Sequence, residues 1–446
     1  MDDFPKNSFI TFLAEIFILI FGLAISIITA RILGPEGKGI YSLTILIPSL
    51  MLIFANPGLD SSNIYFLGSK RYKIQEIVSN SLSLALLIGL FLIIVFLGVS
   101  YFDFFKKFIH TNQISLPYMW MIVLIIPLYV LSNFFKNIIR GKGDILNYNK
   151  LGIFEGAVQL IAVIIFLLIL KKSIFGAIIA YVLTIVFTSG FAVFLIKKMA
   201  KIRFSLNKKF LKESFTYGIQ VYFANTISYL NYRLDMFLIA LYLVPSAVGI
   251  YSITVGVAER LFIVPKALAT VLFPKISSLN NIAANEFTPK IIRHTFFIMT
   301  ISSLLLIFLA APMIKTLFGE GFLPAVTPLI ILLPGIIAFG ISGVLAADLA
   351  GRGKPRFAVY ASFAALIVNI SFNIIFIPRW GISGSAFAST VAYVVDTFII
   401  LTAFLMISRK SLIDVLVIKK EDFEDYFHLF LRLKNWIWTK VILSSK

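Results

Sequence analysis

The sequence predicts an all-α integral membrane protein with twelve transmembrane helices. Of its 446 residues, 59% are hydrophobic and 14% are charged, whereas soluble domains are about 45–50% apolar and about 25% charged. Apolar runs of about 20 residues, the length that crosses ~30 Å of hydrocarbon, recur along the whole chain. These runs are continuous rather than alternating in polarity, which favours helices over the strands of a membrane barrel.

The predicted spans are joined by short connections that carry most of the charged residues. The second span is interrupted, and the linker after the sixth span, residues 197–212, is the longest basic stretch. Cysteine is absent, so neither disulfides nor thiolate metal sites are available. The spans cover residues 9–30, 40–67, 79–100, 116–135, 152–170, 174–196, 217–241, 247–272, 296–318, 325–349, 357–377 and 385–407.

The positive charges indicate the orientation of the chain. Thirty of the 40 Lys and Arg residues lie in segments on the same side as the N-terminus, and eight lie on the other side. Because cytoplasmic loops are enriched in Lys and Arg, both termini are predicted to be cytoplasmic, in a multi-pass protein of the cell membrane. The net charge of +19 therefore reflects topology, and no nucleic-acid partner is expected.

An internal duplication is the most informative feature of the sequence. Residues 31–44 read RILGPEGKGIYSLT and residues 241–254 read LYLVPSAVGIYSIT, with seven of fourteen positions identical at an offset of 210. The same offset aligns residues 141–143 with residues 351–353. Two matches at one spacing indicate a repeat, and an even number of spans per repeat places both halves in the same orientation.

The duplication defines the predicted domains. An N-terminal lobe covers residues 1–206 and a C-terminal lobe covers residues 207–408, related by a pseudo-two-fold axis along the membrane normal. A tail at residues 409–446 carries apolar residues at helical spacing among Lys and Arg residues. That pattern is typical of an amphipathic helix on the cytoplasmic membrane surface, although a partner-binding helix remains an alternative.

Charged residues inside predicted spans are the candidates for function, because they are costly in lipid and usually face a cavity or a partner. The candidates for a cavity that binds substrate are Arg233, Arg260, Glu259 and Asp235, together with Arg31 in the loop that follows the first span. The arginines suit a pyrophosphate or an acidic sugar. The alternative is that Arg233 pairs with Glu259 only to make the helices insertable. The candidates for coupling to an ion are Glu15, Asp60 and Asp396.

Two glycine-rich turns occupy equivalent places in the two halves. Their cations, Arg140 and Lys142 in one turn and Arg352 and Lys354 in the other, are candidates for binding substrate at the cytoplasmic mouth. Tight loops that obey the positive-inside rule are the alternative, and it is the one that we favour. The spacing does not match a P-loop.

The first repeat resembles a known family. Residues 30–43, ARILGPEGKGIYSL, resemble the first-loop signature of polysaccharide biosynthesis membrane proteins, which are flippases of the multidrug/oligosaccharidyl-lipid/polysaccharide exporter superfamily, related to multidrug and toxin extrusion (MATE) transporters. Weaker matches lie at residues 58–60, 233–239, 248–252 and 319–322, and the resemblance spans about residues 8–408.

This resemblance implies both an architecture and a function. It implies a MATE-like fold of two six-helix lobes around a central cavity that opens alternately to each side. It also implies that the substrate is a polyprenyl-pyrophosphate-linked oligosaccharide, moved from the inner to the outer leaflet for a surface polysaccharide such as O-antigen or capsule. Implied partners are membrane lipid and the polysaccharide polymerase and chain-length proteins.

Two other functions compete with the flippase. A cation-coupled efflux antiporter of the MATE type would share the fold but would favour an acidic cavity. A membrane sugar polymerase or ligase would need catalytic groups on large outer loops, and every predicted outer loop is short. The three histidines have no metal or triad spacing. We therefore expect a transporter, not an enzyme, with no cofactor and no metal.

Overall fold

The computed structural model describes residues 4–55, 58–419 and 421–422. Within these ranges every regular element is a helix. A π-helical segment, Ile164–Ile169, extends the seventh helix. The first eight α-helices are α1 Phe4–Ala55, α2 Leu59–Gly68, α3 Ile74–Ser100, α4 Asp103–Thr111, α5 Leu116–Val123, α6 Ile126–Gly141, α7 Ile145–Val163 and α8 Ser173–Lys197.

Eight further α-helices follow the linker. Two short 3-10 segments, Glu259–Phe262 and Glu320–Ala325, precede α11 and α13. The helices are α9 Lys208–Tyr242, α10 Pro245–Ala258, α11 Ile263–Ser278, α12 Asn281–Phe318, α13 Val326–Gly351, α14 Arg356–Trp380, α15 Ile382–Ser408 and α16 Leu412–Leu416. The predicted surface helix of the tail lies mostly in residues 423–446, outside the described residues.

Ten helices in the described ranges are long and apolar enough to cross a membrane. The prediction of a multi-pass helical membrane protein is therefore confirmed. Two differences separate this number from twelve. Helix α1 contains predicted span 1 and part of span 2, and α9, which contains span 7, has too many polar residues to qualify by composition.

The predicted loop between spans 1 and 2 is reduced to a kink, because the helical residues of α1 continue on both sides of it. Its interruption is a single residue, Gly34, with φ of 66°. A straight helix of 52 residues would be about 78 Å long, more than twice the ~30 Å hydrocarbon thickness. The kink at Gly34 divides this segment into two helices. A side chain at a positive φ would be strained, which is why glycine suits this position.

The chain forms two compact units. One unit comprises residues 1–255, 311–328 and 370–385, and the other comprises residues 256–310, 329–369 and 386–446. The first has a core of buried apolar residues from α1, α5, α7 and α8, among them Ile25, Tyr41, Ile122, Val163 and Ala177. The second has a core that includes Ile292, Leu345 and Phe404. The lobes predicted from the repeat, residues 1–206 and 207–408, remain predictions.

The linker between α8 and α9 lies against α3 through specific hydrogen bonds. The backbone N–H of Lys201 donates to Gln75 Oε1 at 2.7 Å, and that of Asn207 donates to Asn80 Oδ1 at 2.7 Å. The N–H of Ser205 donates to the Ser83 hydroxyl at 3.1 Å. These bonds hold the linker against α3, because side chains of α3 accept hydrogen bonds from linker N–H groups that lie outside any helix.

Candidate functional site

The two copies of the sequence repeat touch each other in the first unit. A Cβ added to Gly39 would lie 1.8 Å from the carbonyl oxygen of Pro245, and a Cβ added to Gly249 would lie 2.0 Å from that of Pro35. The contact is reciprocal at the offset of 210, as in an interface with two-fold symmetry. Only glycine allows two helix backbones to approach so closely.

Next to this contact, Arg31 and Lys38 have structural partners. Arg31 is exposed, and its guanidinium donates to the carbonyl oxygens of Thr316 and, at 2.8 Å, Leu317. It therefore caps the last carbonyls of α12, where a cation also suits the helix dipole. Lys38, which the sequence places in an outer loop, is instead buried, and its Nζ donates to the Thr29 hydroxyl at 2.7 Å.

A cavity of about 300 Å³, lined by both polar and apolar side chains, lies within the first unit, between α1, α2, α6 and α9. Gly58, with φ of 83°, begins α2, and a Cβ there would lie 2.0 Å from the carbonyl oxygen of Gly218 on α9. This close approach places the first turn of α2 beside α9. The polar side chains that line the cavity are Ser49, Asp60, Ser61, Tyr129, Asn133, Tyr222, Thr226 and Tyr229.

The lining combines aromatic faces with hydrogen-bonding groups. Three tyrosines each offer an apolar ring and a hydroxyl. Asn133 offers both a donor and an acceptor, and the carboxyl oxygens of Asp60 offer acceptors. Among the residues that line the cavity, Asp60 is the charged one. Such a surface can bind a molecule that has apolar faces and several hydroxyl or amino groups, and the volume is at the lower end of the ~300–1,000 Å³ of small-molecule sites.

Arg233 and Asp235, the predicted cavity candidates on α9, have different surroundings. Arg233 is partly buried, one helical turn after Tyr229, and its guanidinium donates to the carbonyl oxygen of Tyr232 at 3.4 Å. Asp235 is buried and accepts a hydrogen bond from the Tyr251 hydroxyl at 2.9 Å. Asp235 therefore joins α9 to α10, and Tyr251 belongs to the second copy of the repeat.

Glu259 and Arg260 lie in the second unit, in the 3-10 segment before α11. Both are partly buried, and the Arg260 guanidinium donates to the carbonyl oxygen of Gly256 at 3.4 Å. The pairing of Arg233 with Glu259 and the roles of both arginines stay predictions.

The two glycine-rich turns differ in the state of their cations. The side chain of Arg352 is buried, and its guanidinium donates to Asp348 at 2.7 Å and to Asn285 at 2.7 Å. Its charge is neutralised within the protein, which favours the structural interpretation of this turn. In the other turn Arg140 is exposed and lies over the ring of Tyr148, 5.7 Å from its centroid.

The remaining cations of these turns are less enclosed. Lys142 is exposed and Lys354 is partly buried. Whether either cation binds substrate stays a prediction.

The three candidates for ion coupling also have different environments. Asp60 lines the cavity. Asp396 is buried in the second unit and accepts hydrogen bonds from the hydroxyls of Ser342 and, at 3.3 Å, Ser362. Glu15 is exposed on α1. Of the three, Asp60 is thus the one that lines the cavity between α1, α2, α6 and α9.

Long apolar helices and a cavity that α1, α2, α6 and α9 line are features of multi-pass membrane transporters. The chain belongs to the family described as "Polysaccharide biosynthesis protein", which matches residues 4–280. This membership confirms the resemblance carried by the first repeat. Proteins of this class are generally not enzymes.

Known proteins that resemble this chain agree with the family. A "Putative O-antigen transporter" of Shigella flexneri is 24% identical over 386 residues, which are 83% of this chain and 90% of the relative. A structure of the lipid II flippase MurJ has a TM-score of 0.73 at 19% identity and covers 90% of both chains. An inward-facing MATE transporter has a TM-score of 0.72 at 16% identity, over 91% of this chain and 99% of the other. The fold is therefore MATE-like and MurJ-like.

Proposed function

We propose that this protein moves a polyprenyl-pyrophosphate-linked oligosaccharide from the inner to the outer leaflet, for the synthesis of a surface polysaccharide. The observation that supports this most directly is the tyrosine-lined polar cavity among membrane-spanning helices. Family membership and the similarity to a putative O-antigen transporter support the same substrate class.

The chemistry of the cavity suits a sugar. A pyranose ring has faces of C–H groups that pack on aromatic rings, and Tyr129, Tyr222 and Tyr229 supply such rings. Its hydroxyls require hydrogen-bond partners once removed from water, since an unpaired buried polar group is costly. Asp60 and Asn133 can accept and donate such bonds. A cavity of about 300 Å³ takes a small part of an oligosaccharide, and the polyprenyl chain stays in lipid.

Alternating access is the proposed mechanism, in an architecture of twelve spans and two lobes, residues 1–206 and 207–408. The reciprocal contact at Gly39 and Gly249 supports a two-fold relation between the lobes. Arg233 is the proposed site for the pyrophosphate, because a guanidinium binds phosphate oxygens in a bidentate manner. Arg260 is the second proposed cation.

A second function has one observation in its favour. Asp60 among three tyrosines also resembles a site for an organic cation, which is attracted both to the carboxylate and to aromatic faces. That would suit a cation-coupled efflux antiporter of the MATE type. In both functions Asp60 is the proposed carboxylate for a coupling ion.

Purified protein in proteoliposomes separates the two functions. One assay follows translocation of a fluorescent polyprenyl-pyrophosphate saccharide, and the other follows accumulation of a fluorescent organic cation. Tyr129→Ala should reduce saccharide translocation about tenfold, the effect of losing about 1.4 kcal/mol of ring contact. Tyr118→Ala is the matched control, because Tyr118 on α5 is partly buried but does not line the cavity. Cation accumulation without saccharide translocation would contradict the proposed function and favour the antiporter.

A further inference from the structure

The linker between α8 and α9 has a surface that the transport function does not explain. We propose that this segment, residues 197–212, binds anionic phospholipid headgroups and inserts Phe204 and Leu206 into the membrane boundary. We call it the basic strap. The proposal concerns lipid binding and does not depend on which substrate is transported.

The charge of the basic strap is entirely of one sign. It contains no acidic residue, and all seven of its cations are exposed: Lys197, Lys198, Lys201, Arg203, Lys208, Lys209 and Lys212. Clusters of four to eight Lys and Arg residues beside a membrane helix attract anionic lipids, and each cation near the surface strengthens binding by about fivefold.

Topology alone does not account for the apolar side chains of the strap. The positive-inside rule requires Lys and Arg residues on a loop but requires no aromatic residue there. Phe204 is nevertheless 74% exposed and Leu206 is 47% exposed. Large apolar side chains among cations are typical of segments that lie in the headgroup region, where the apolar groups leave water and the cations meet phosphate.

The strap is also held in a fixed place at the ends of membrane helices. It joins the last residue of α8 to the first turn of α9, and it lies along the N-terminal part of α3 through Gln75, Asn80 and Ser83. These bonds use the backbone of the strap and leave its cations exposed. A fixed array pays less ordering entropy when it binds than a flexible loop would.

The test uses the full chain, which has no cysteine of its own. Ser205→Cys, labelled with an environment-sensitive fluorophore, is reconstituted in vesicles of phosphatidylcholine alone or with roughly a quarter phosphatidylglycerol. With phosphatidylglycerol, quenching by an aqueous reagent should be at least fivefold slower and the emission shifted to the blue. High salt should remove this difference, because it screens the attraction.

Two variants establish the cause. Replacing Lys201, Arg203, Lys208 and Lys209 with glutamine should abolish the lipid dependence, whereas Lys106→Gln with Lys107→Gln on α4 should leave it unchanged. Because loss of cations can alter topology, Phe204→Ser provides a second variant at constant charge, and it should restore fast quenching. Equal protection in both lipids would overturn the proposal, since another segment of protein would then cover the strap. Equal exposure in both lipids would overturn it as well.

Discussion

Replacing Gly39 with alanine tests whether the two copies of the repeat must touch. The added Cβ would lie 1.8 Å from the carbonyl oxygen of Pro245 and 3.1 Å from the backbone nitrogen of Gly249. Carbon and oxygen atoms in close contact are normally about 3.3 Å apart. The two backbones would therefore have to separate by about 1.5 Å at this point.

This separation is expected to be costly because the atom that is met belongs to the backbone. Overpacking of a tight interface costs about 1–3 kcal/mol, and a flexible side chain is not available here to move aside. Gly249→Ala should have a similar effect, since its Cβ would lie 2.0 Å from the carbonyl oxygen of Pro35. The double variant should be little worse than either single variant, because one separation relieves both overlaps.

The assay combines thermal unfolding of the purified protein with translocation of a lipid-linked saccharide in proteoliposomes. Gly39→Ala should lower the unfolding midpoint and reduce translocation. Gly256→Ala is the matched control, because Gly256 lies on the same helix as Gly249 and a Cβ there would meet nothing within 4 Å. If Gly39→Ala unfolds and transports like the control, the close contact is not required. Strictly additive losses in the double variant would also refute the argument.

Three further predictions concern topology, the cavity and the tail. A cysteine replacing Lys172 should react with an impermeant reagent from outside; reaction only after permeabilisation would contradict the topology. Arg233→Gln should reduce glycan export, and full recovery on adding Glu259→Gln would indicate a structural pair rather than a ligand site. Arg293 holds the pKa of Asp422 at about 2, below its usual value. This pair should therefore stabilise the protein above about pH 4, and the stabilisation should be lost as the pH falls towards 2. Thermal unfolding midpoints measured across this pH range should show the loss in the original protein but not in Asp422→Asn.

The fold class could be predicted from the sequence because a membrane leaves few choices. Lipid requires long apolar helices, and their lengths and composition can be read directly from the chain. The repeat could be found because it preserves residue identities, and Gly39 and Gly249 are conspicuous within it. Their mutual contact explains why glycine stands at both positions. Asp60 could also be selected, since a carboxylate in an apolar span is costly without a function or a partner.

Only the tertiary structure decided which side chains share a space. Tyr129, Tyr222 and Tyr229 come from two helices far apart in sequence, and no local pattern in either helix records that the other packs against it. Lys38 appeared to be a loop cation because charge suggests exposure, yet it is buried and donates to the Thr29 hydroxyl. Sequence thus determined the elements and their order, because hydropathy is a local property. The cavity depended on packing between distant helices, which no local property records.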